Sequence, residues 1–126
     1  MRFKVNLFNY GSFKLHSGQT SHWKIDCDAL SDRDWETLAF MIQSKIKFGS
    51  VIGIPSGGLK LATALEKYKT SDFPALIVDD VLTTGGSMKA LKLKYPNSIG
   101  VVVFARDKCP EWITPIFQYS FEGTSQ

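Results

Sequence analysis

The chain has 126 residues, a length that suits one domain. Its hydrophobic fraction of 44% is that of a folded globular protein, and no segment is long and apolar enough to cross a membrane. The formal charge of +3 is modest, and the lysines are spread among acidic residues, which argues against a nucleic-acid footprint. Two isolated cysteines, Cys27 and Cys109, lack the spacing of a zinc site or a disulfide framework, and we interpret both as ordinary thiols. The first residues lack the apolar core of a signal peptide, so we expect a cytoplasmic protein.

The first thirty residues are rich in β-forming side chains. Strand-like pieces at Phe3 to Phe8, Ser12 to Leu15 and His22 to Cys27 are separated by turn-forming compositions at residues 9–11 and 16–19. This pattern predicts an N-terminal β hairpin or meander.

A first helix is predicted from Ser31. The Ser31 side chain can cap the helix, and Asp32 and Asp34 would lie in its first turn, where negative charge is favourable. We expect this helix to end near residues 48–49. The apolar residues that recur at helical spacing are Trp35, Leu38, Ala39, Ile42 and Ile46.

Three short apolar runs alternate with two helical segments in the next part of the chain. The runs are Val51 to Ile54, Ala75 to Val78 and Ile99 to Phe104, and the helical segments are Gly58 to Tyr68 and Ser87 to Tyr95. This alternation predicts an α/β fold, with a parallel sheet, flanking helices and right-handed crossovers.

The last segment, Trp112 to Phe121, contains Pro115 and alternates polar with aromatic residues. It is predicted to form an edge strand or a flap over a site. We therefore expect one domain over residues 1–126. It would comprise an N-terminal β segment (1–30), an α/β core (31–110) and a C-terminal strand or flap (111–126).

The most informative stretch runs from Ile77 to Ser87. An apolar strand there ends in Asp79 and Asp80, and a turn rich in hydroxyls and glycines follows. Two unit charges about 4 Å apart repel by roughly 1 kcal/mol in bulk water, so folding alone gives little reason for the pair. A ligand with hydroxyl donors, or an accompanying cation, would relieve the repulsion, and the turn can bind an anion at a helix N-terminus. These features predict a phosphosugar site; the alternative is a solvated turn with helix-capping side chains.

This segment closely resembles the phosphoribosyl pyrophosphate (PRPP) motif of the type I phosphoribosyltransferases, which have a Rossmann-like core. The resemblance implies that Asp79 and Asp80 are catalytic residues that hold the ribose 2′- and 3′-hydroxyls and, through water, Mg²⁺. It implies that the following loop encloses the 5′-phosphate. The residues so implied in binding ribose and 5′-phosphate are Asp79, Asp80, Val81, Leu82, Thr83, Thr84, Gly85, Gly86 and Ser87.

A second tight turn follows the strand Val51 to Ile54. In a parallel sheet it lies on the same edge as the PRPP-like turn. Alone it is a weak signal, and a plain turn between strand and helix would then be the better explanation. At this offset before the PRPP-like motif, it resembles the pyrophosphate loop of the same family. The residues so implied in binding pyrophosphate are Pro55, Ser56, Gly57 and Gly58.

The segment Phe13 to Ser21 resembles the Phe-x-Leu-x-Ser-Gly-x-x-Ser stretch of orotate phosphoribosyltransferases. Those enzymes often carry a lysine before Ser-Gly, whereas this chain has His16. The resemblance implies that His16 lies near the pyrophosphate and that Lys14, Ser17 and Gly18 lie near the base. The alternative is a strand and turn whose Ser-Gly merely closes a hairpin.

Arg106 follows the apolar run that ends at Phe104, again at the carboxyl edge of the predicted sheet. Its planar guanidinium can pair with a carboxylate or carbonyl group of a base. Orotate enzymes usually carry this arginine in an Asp-Arg context, whereas here the order is Arg106-Asp107. A surface pair between Arg106 and Asp107 therefore stays open as an alternative.

The chief departure from orotate enzymes is the connection Lys69 to Pro74, since those enzymes place an extra strand and a long mobile catalytic loop there. The resemblance implies transfer of a 5-phosphoribosyl group from PRPP, with Mg²⁺, to orotate or a related pyrimidine, with release of pyrophosphate. It also implies a homodimer. The short connection keeps open a non-catalytic PRPP- or nucleotide-binding regulatory module. A kinase-like function is disfavoured, because no Gly-x-x-x-x-Gly-Lys-[Ser/Thr] loop is present.

Overall fold

The computed structural model describes residues 7–14, 20–82 and 84–118, and for residues 9–14 and 20–24 the backbone alone. Strands and helices alternate through most of this part. The elements are β1 (Phe8–Lys14), β2 (Thr20–Ile25), α1 (Asp32–Gln43), β3 (Ser50–Gly53), α2 (Leu59–Leu65), β4 (Ala75–Leu82), α3 (Gly86–Lys94), β5 (Ile99–Ala105) and β6 (Ile113–Gln118), with short 3-10 helices at Cys27–Ala29 and Glu66–Tyr68.

Strands β3, β4, β5 and β6 form one parallel sheet in that order. The predicted α/β fold is therefore confirmed, with β3, β4 and β5 at the expected apolar runs. Strand β4 is longer than predicted, because its pairing with β5 continues past Asp79 to Leu82. Because the strands are parallel, the turns that follow β3, β4 and β5 emerge at the same edge of the sheet.

Both faces of the sheet are covered, which explains the continuous apolar runs of its central strands. Side chains alternate over the middle of β5: Val101 and Val103 pack in the core that contains α1 and α2. Val102 packs on the other side with Met88 of α3.

Strands β1 and β2 pair in antiparallel fashion, so a hairpin is confirmed over the described residues. The predicted turn at residues 9–11 is wrong: these residues lie inside β1. The pairing register shifts between Tyr10 and Phe13, and such a bulge lets a strand accommodate turn-forming residues. Most of the predicted strand Phe3 to Phe8 lies outside the described residues.

Helix α1 ends earlier than predicted, at Gln43 rather than near residues 48–49. The Ser44 hydroxyl donates to the Met41 carbonyl at 2.7 Å, which satisfies one of the last carbonyl groups of the helix. The chain then turns and places Phe48 in the core with no exposed surface. The helical spacing of apolar residues continues to Ile46, but α1 ends earlier because the large aromatic side chain of Phe48 is buried in the core.

At the C-terminal side, β6 confirms the edge-strand alternative over Ile113–Gln118. Pro115 is tolerated because an edge strand has one side without sheet partners. None of the helices in the described part of the chain has the length and apolar character needed to span a membrane.

The start of α1 provides a test of the local folding signals. The Asp34 N–H donates to Ser31 Oγ at 3.2 Å, and the Ser31 N–H donates to Asp34 Oδ2 at 2.8 Å, which completes a capping box. We expect Ser31→Ala to lower the free energy of unfolding by about 1 kcal/mol in urea titrations. The control Ser71→Ala, in an exposed turn, should change it by less than about 0.5 kcal/mol. Equal losses in the two variants would contradict the capping role.

Candidate functional site

A cavity of about 840 Å³ lies at the carboxyl edge of the parallel sheet. The turns after β3, β4 and β5 contribute to it, and so does the segment after β2. The residues that line it are Ile25, Asp26, Cys27, Asp28, Ile54, Pro55, Ser56, Gly57, Asp79, Asp80, Val81, Leu82, Thr84, Gly85, Gly86, Ser87, Met88 and Arg106. The structure thus brings the two predicted turns and the predicted arginine around one cavity.

Asp79 and Asp80 lie on the last part of β4 and are half-buried. The Asp80 N–H donates to Asp79 Oδ1 at 2.8 Å, and the Val81 N–H donates to Asp80 Oδ1 at 2.7 Å. These bonds hold one oxygen of each carboxyl group against the strand backbone. Both side chains line the cavity.

Burial raises the pKa of Asp79, and a hydrogen bond with the Asp80 side chain raises it further, to about 7. The N–H of Asp80 opposes this shift by stabilising the carboxylate. A proton on Asp79 therefore relieves the repulsion between the two carboxyl groups below about pH 7. A ligand that supplies hydroxyl donors or a cation can take the place of that proton.

The turn after β4 leads directly into α3. Gly85 caps this helix in the left-handed region, with φ of 79°, a conformation that glycine adopts without strain. Thr84, Gly86 and Ser87 are exposed at the helix start, where the first N–H groups have no partner within the helix. This geometry suits an anion. Thr83, the other predicted member of the loop, lies outside the described residues.

The turn after β3 rests on β4. The Ile54 N–H donates to the Val78 carbonyl at 2.9 Å, and the Gly58 N–H donates to the Ile54 carbonyl at 2.7 Å. Pro55, Ser56 and Gly57 face the cavity, and the peptide bond between Pro55 and Ser56 is cis. Gly58, which was also predicted to bind pyrophosphate, is buried beneath the turn and does not line the cavity.

Arg106 is half-buried just beyond β5 and lines the same cavity. The backbone N–H of Arg106 donates to the Leu82 carbonyl at 3.4 Å, and this bond joins the end of β5 to the end of β4. The remaining predicted residues are not placed. His16, Ser17 and Gly18 lie outside the described residues, and of Lys14 only the backbone, at the end of β1, is described.

Sequence reasoning missed the segment that follows β2. Asp26, Cys27 and Asp28 all line the cavity. Burial, together with the negative charges of Asp80 and Asp26, raises the pKa of the Cys27 thiol to about 12. Cys27 therefore stays protonated at neutral pH. The available signal was the two carboxylates, Asp26 and Asp28, at the end of the predicted strand His22 to Cys27.

Comparison with known proteins agrees with this arrangement, although no family model matches the chain. An orotate phosphoribosyltransferase of Pyrobaculum calidifontis is 27% identical over an alignment of 139 residues, which covers 83% of this chain and 72% of the relative. This alignment is longer than the chain itself, so the relative contains inserted residues.

The crystal structure of an orotate phosphoribosyltransferase from Aeropyrum pernix is 25% identical and superimposes with a TM-score of 0.63, covering 79% of this chain and 76% of that one. The fold of a UMP synthase from Leishmania donovani superimposes with a TM-score of 0.66 at 20% identity, covering 89% of this chain and 33% of that one. In fold and in sequence, therefore, the chain is similar to the orotate phosphoribosyltransferases.

Proposed function

We propose that the chain binds PRPP with Mg²⁺ and transfers the 5-phosphoribosyl group to orotate or a related pyrimidine, with release of pyrophosphate. The observation that carries this proposal is the single cavity that contains the acid pair, both glycine-rich turns and Arg106. The similarity to orotate phosphoribosyltransferases supports it.

Each part of PRPP has a matching part of the cavity. The carboxylates of Asp79 and Asp80 accept hydrogen bonds from the ribose hydroxyls. The turn over residues 84–87 binds the 5′-phosphate at the start of α3. Ser56 and Gly57 contact the pyrophosphate from the turn after β3.

Phosphoribosyl transfer requires no protein nucleophile. The bond from ribose C1 to pyrophosphate breaks as a ring nitrogen of the base approaches, and positive charge develops on the sugar. The protein contributes by aligning the two substrates and by stabilising the departing pyrophosphate. The carboxylates of Asp79 and Asp80 also lie where they can stabilise the developing positive charge.

The donor atoms at the site fit Mg²⁺, which binds oxygen ligands and usually keeps several waters. The part of the chain that the structure describes contains no group of three or more His, Cys, Asp or Glu side chains arranged to hold a metal ion. Asp79 and Asp80, through water, would hold the cation together with the phosphate groups of the ligand. When bound, Mg²⁺ would neutralise the charge of the pyrophosphate.

A regulatory PRPP-binding module is the alternative function. Only residues 69–74 separate the 3-10 helix after α2 from β4, and β3 pairs directly with β4. This connection cannot form the extra strand and long loop of orotate enzymes, and it favours a binding module. Arg106 favours an enzyme, because binding PRPP alone does not require a group that recognises the base.

A homodimer, which the family resemblance implies, stays a prediction. Phe8, Met41 and Phe117 are each more than a third exposed. They line an apolar groove of about 530 Å³ beside α1 and β6.

The first test is ligand-dependent stability. PRPP with Mg²⁺, at about 100 times its dissociation constant, should raise the free energy of unfolding by roughly 2.7 kcal/mol. We expect Asp79→Asn combined with Asp80→Asn to remove this increase, because amides cannot replace two carboxylates as acceptors and cation ligands. Thermal denaturation with and without PRPP measures the effect. Absence of stabilisation in the wild type would overturn the proposed function.

Release of pyrophosphate then separates the enzyme from the regulatory module. The wild type is incubated with PRPP, Mg²⁺ and, in turn, orotate, uracil and purine bases. Turnover with orotate supports the proposed reaction. Stabilisation by PRPP without turnover on any base supports the regulatory module.

The acid pair makes stability depend on pH. The pKa of Asp79 is about 7 in the folded protein, against an ordinary value of 3.8, so the folded state keeps a proton that the unfolded state loses. This stabilising contribution is complete below about pH 4 and is lost as the pH rises towards 7. We expect the free energy of unfolding to fall between about pH 4 and pH 7 in urea titrations. Asp79→Asn should flatten the profile; an unchanged slope in that variant would contradict the assignment.

Recognition of the base tests Arg106. We expect Arg106→Ala to weaken binding of orotate to the PRPP complex by about tenfold or more, since a charge-assisted hydrogen bond is worth about 1.5–3 kcal/mol. Binding of PRPP itself should change less. Isothermal titration measures both affinities, with Lys108→Ala, an exposed neighbour outside the cavity, as the control. Equal losses of affinity for PRPP and orotate would remove Arg106 from this role.

A further inference from the structure

Gly57 lies directly against the Asp80 side chain. A Cβ atom added at Gly57 would come within about 2.5 Å of all three atoms of the Asp80 carboxyl group. Contacts of a Cβ atom below 3.0 Å are essentially never seen in proteins. The carboxyl group of Asp80 therefore occupies the space that a side chain at position 57 would need.

Both partners in this contact are held by hydrogen bonds. The Asp80 carboxyl group accepts the Val81 N–H at 2.7 Å, so moving this short side chain away breaks the bond. On the other side, the turn is held to β4 by the bond from the Ile54 N–H to the Val78 carbonyl at 2.9 Å. An added methyl group must therefore displace Asp80 or lift the turn from the sheet.

The backbone at Gly57 does not itself require glycine. The described glycine with a positive φ is Gly85, and the φ angle of Gly57 lies outside the left-handed region. A need for conformational freedom therefore does not explain the residue. The contact with the Asp80 side chain explains why position 57 is a glycine.

We propose that Gly57 is a positioning residue: its missing side chain seats the Asp80 carboxyl group against the Pro55–Gly58 turn and joins the two turns into one unit. The distance between the groups assigned to ribose and those assigned to pyrophosphate is then set before the ligand binds. Such preorganisation lowers the cost of aligning a substrate. The role in PRPP binding rests on the proposed function, whereas the contact between Gly57 and Asp80 does not.

A double-mutant cycle in thermal stability tests the contact. Gly57→Ala should lower the melting temperature by about 4 °C or more. In the Asp80→Ala background, where the carboxyl group is absent, the same substitution should cause little or no loss. Gly86→Ala is the matched steric control, because an added Cβ there would meet Thr84 Oγ1 only at 3.8 Å. Its melting temperature should not fall.

Ligand binding tests the positioning role. At a temperature where all variants are folded, Gly57→Ala should weaken binding of PRPP with Mg²⁺ by about tenfold or more, since misplacing a group by about 1 Å can cost up to about 100-fold in rate. Affinity equal to that of the wild type would overturn the role, and additive losses in the stability cycle would overturn the contact. If the wild type itself does not bind PRPP, the proposed function fails, and the stability cycle still decides whether Gly57 seats Asp80.

Discussion

The parallel pairing of β3, β4 and β5 is the constraint on which the site depends. Gly53 pairs with Val78, and Asp79 pairs with Val102, so these strands end at one edge in fixed register. Buried apolar residues on both faces of the sheet hold them in place, which is why polar and flexible turn sequences can form a defined cavity.

The proximity of the Asp79 and Asp80 carboxyl groups at this edge of the sheet is electrostatically unfavourable. Asp79 and Asp80 are half-buried and close, and burial together with the hydrogen bond to the Asp80 side chain raises the pKa of Asp79. Two carboxyl groups held this way contribute little to folding at neutral pH. They are suited to a ligand that brings hydroxyl donors and a cation, so the destabilisation in the free protein favours occupation of the site.

The cavity combines an acid pair, two glycine-rich turns and an arginine with a short connection before β4. The resemblance to orotate enzymes implies a long loop over the reacting groups, and residues 69–74 are too few to form it. The segment after β2 brings Asp26 and Asp28 to the cavity. The proposed binding of PRPP therefore rests on more of the described residues than the proposed transfer to a base does.

Local sequence determined the parts of this protein that depend on neighbouring residues. The apolar runs predicted the sheet, Ser31 predicted the start of α1, and Ile77 to Ser87 predicted a strand, an acid pair and an anion-binding turn. Long-range packing decided the rest: burial of Phe48 goes with the early end of α1, and a bulge absorbs the turn-like residues 9–11 within β1. The contact between Gly57 and Asp80, and the position of Asp26 to Asp28 at the cavity, join segments that are distant along the chain. No local pattern encodes such contacts, because they form only when the sheet brings its turns to one edge.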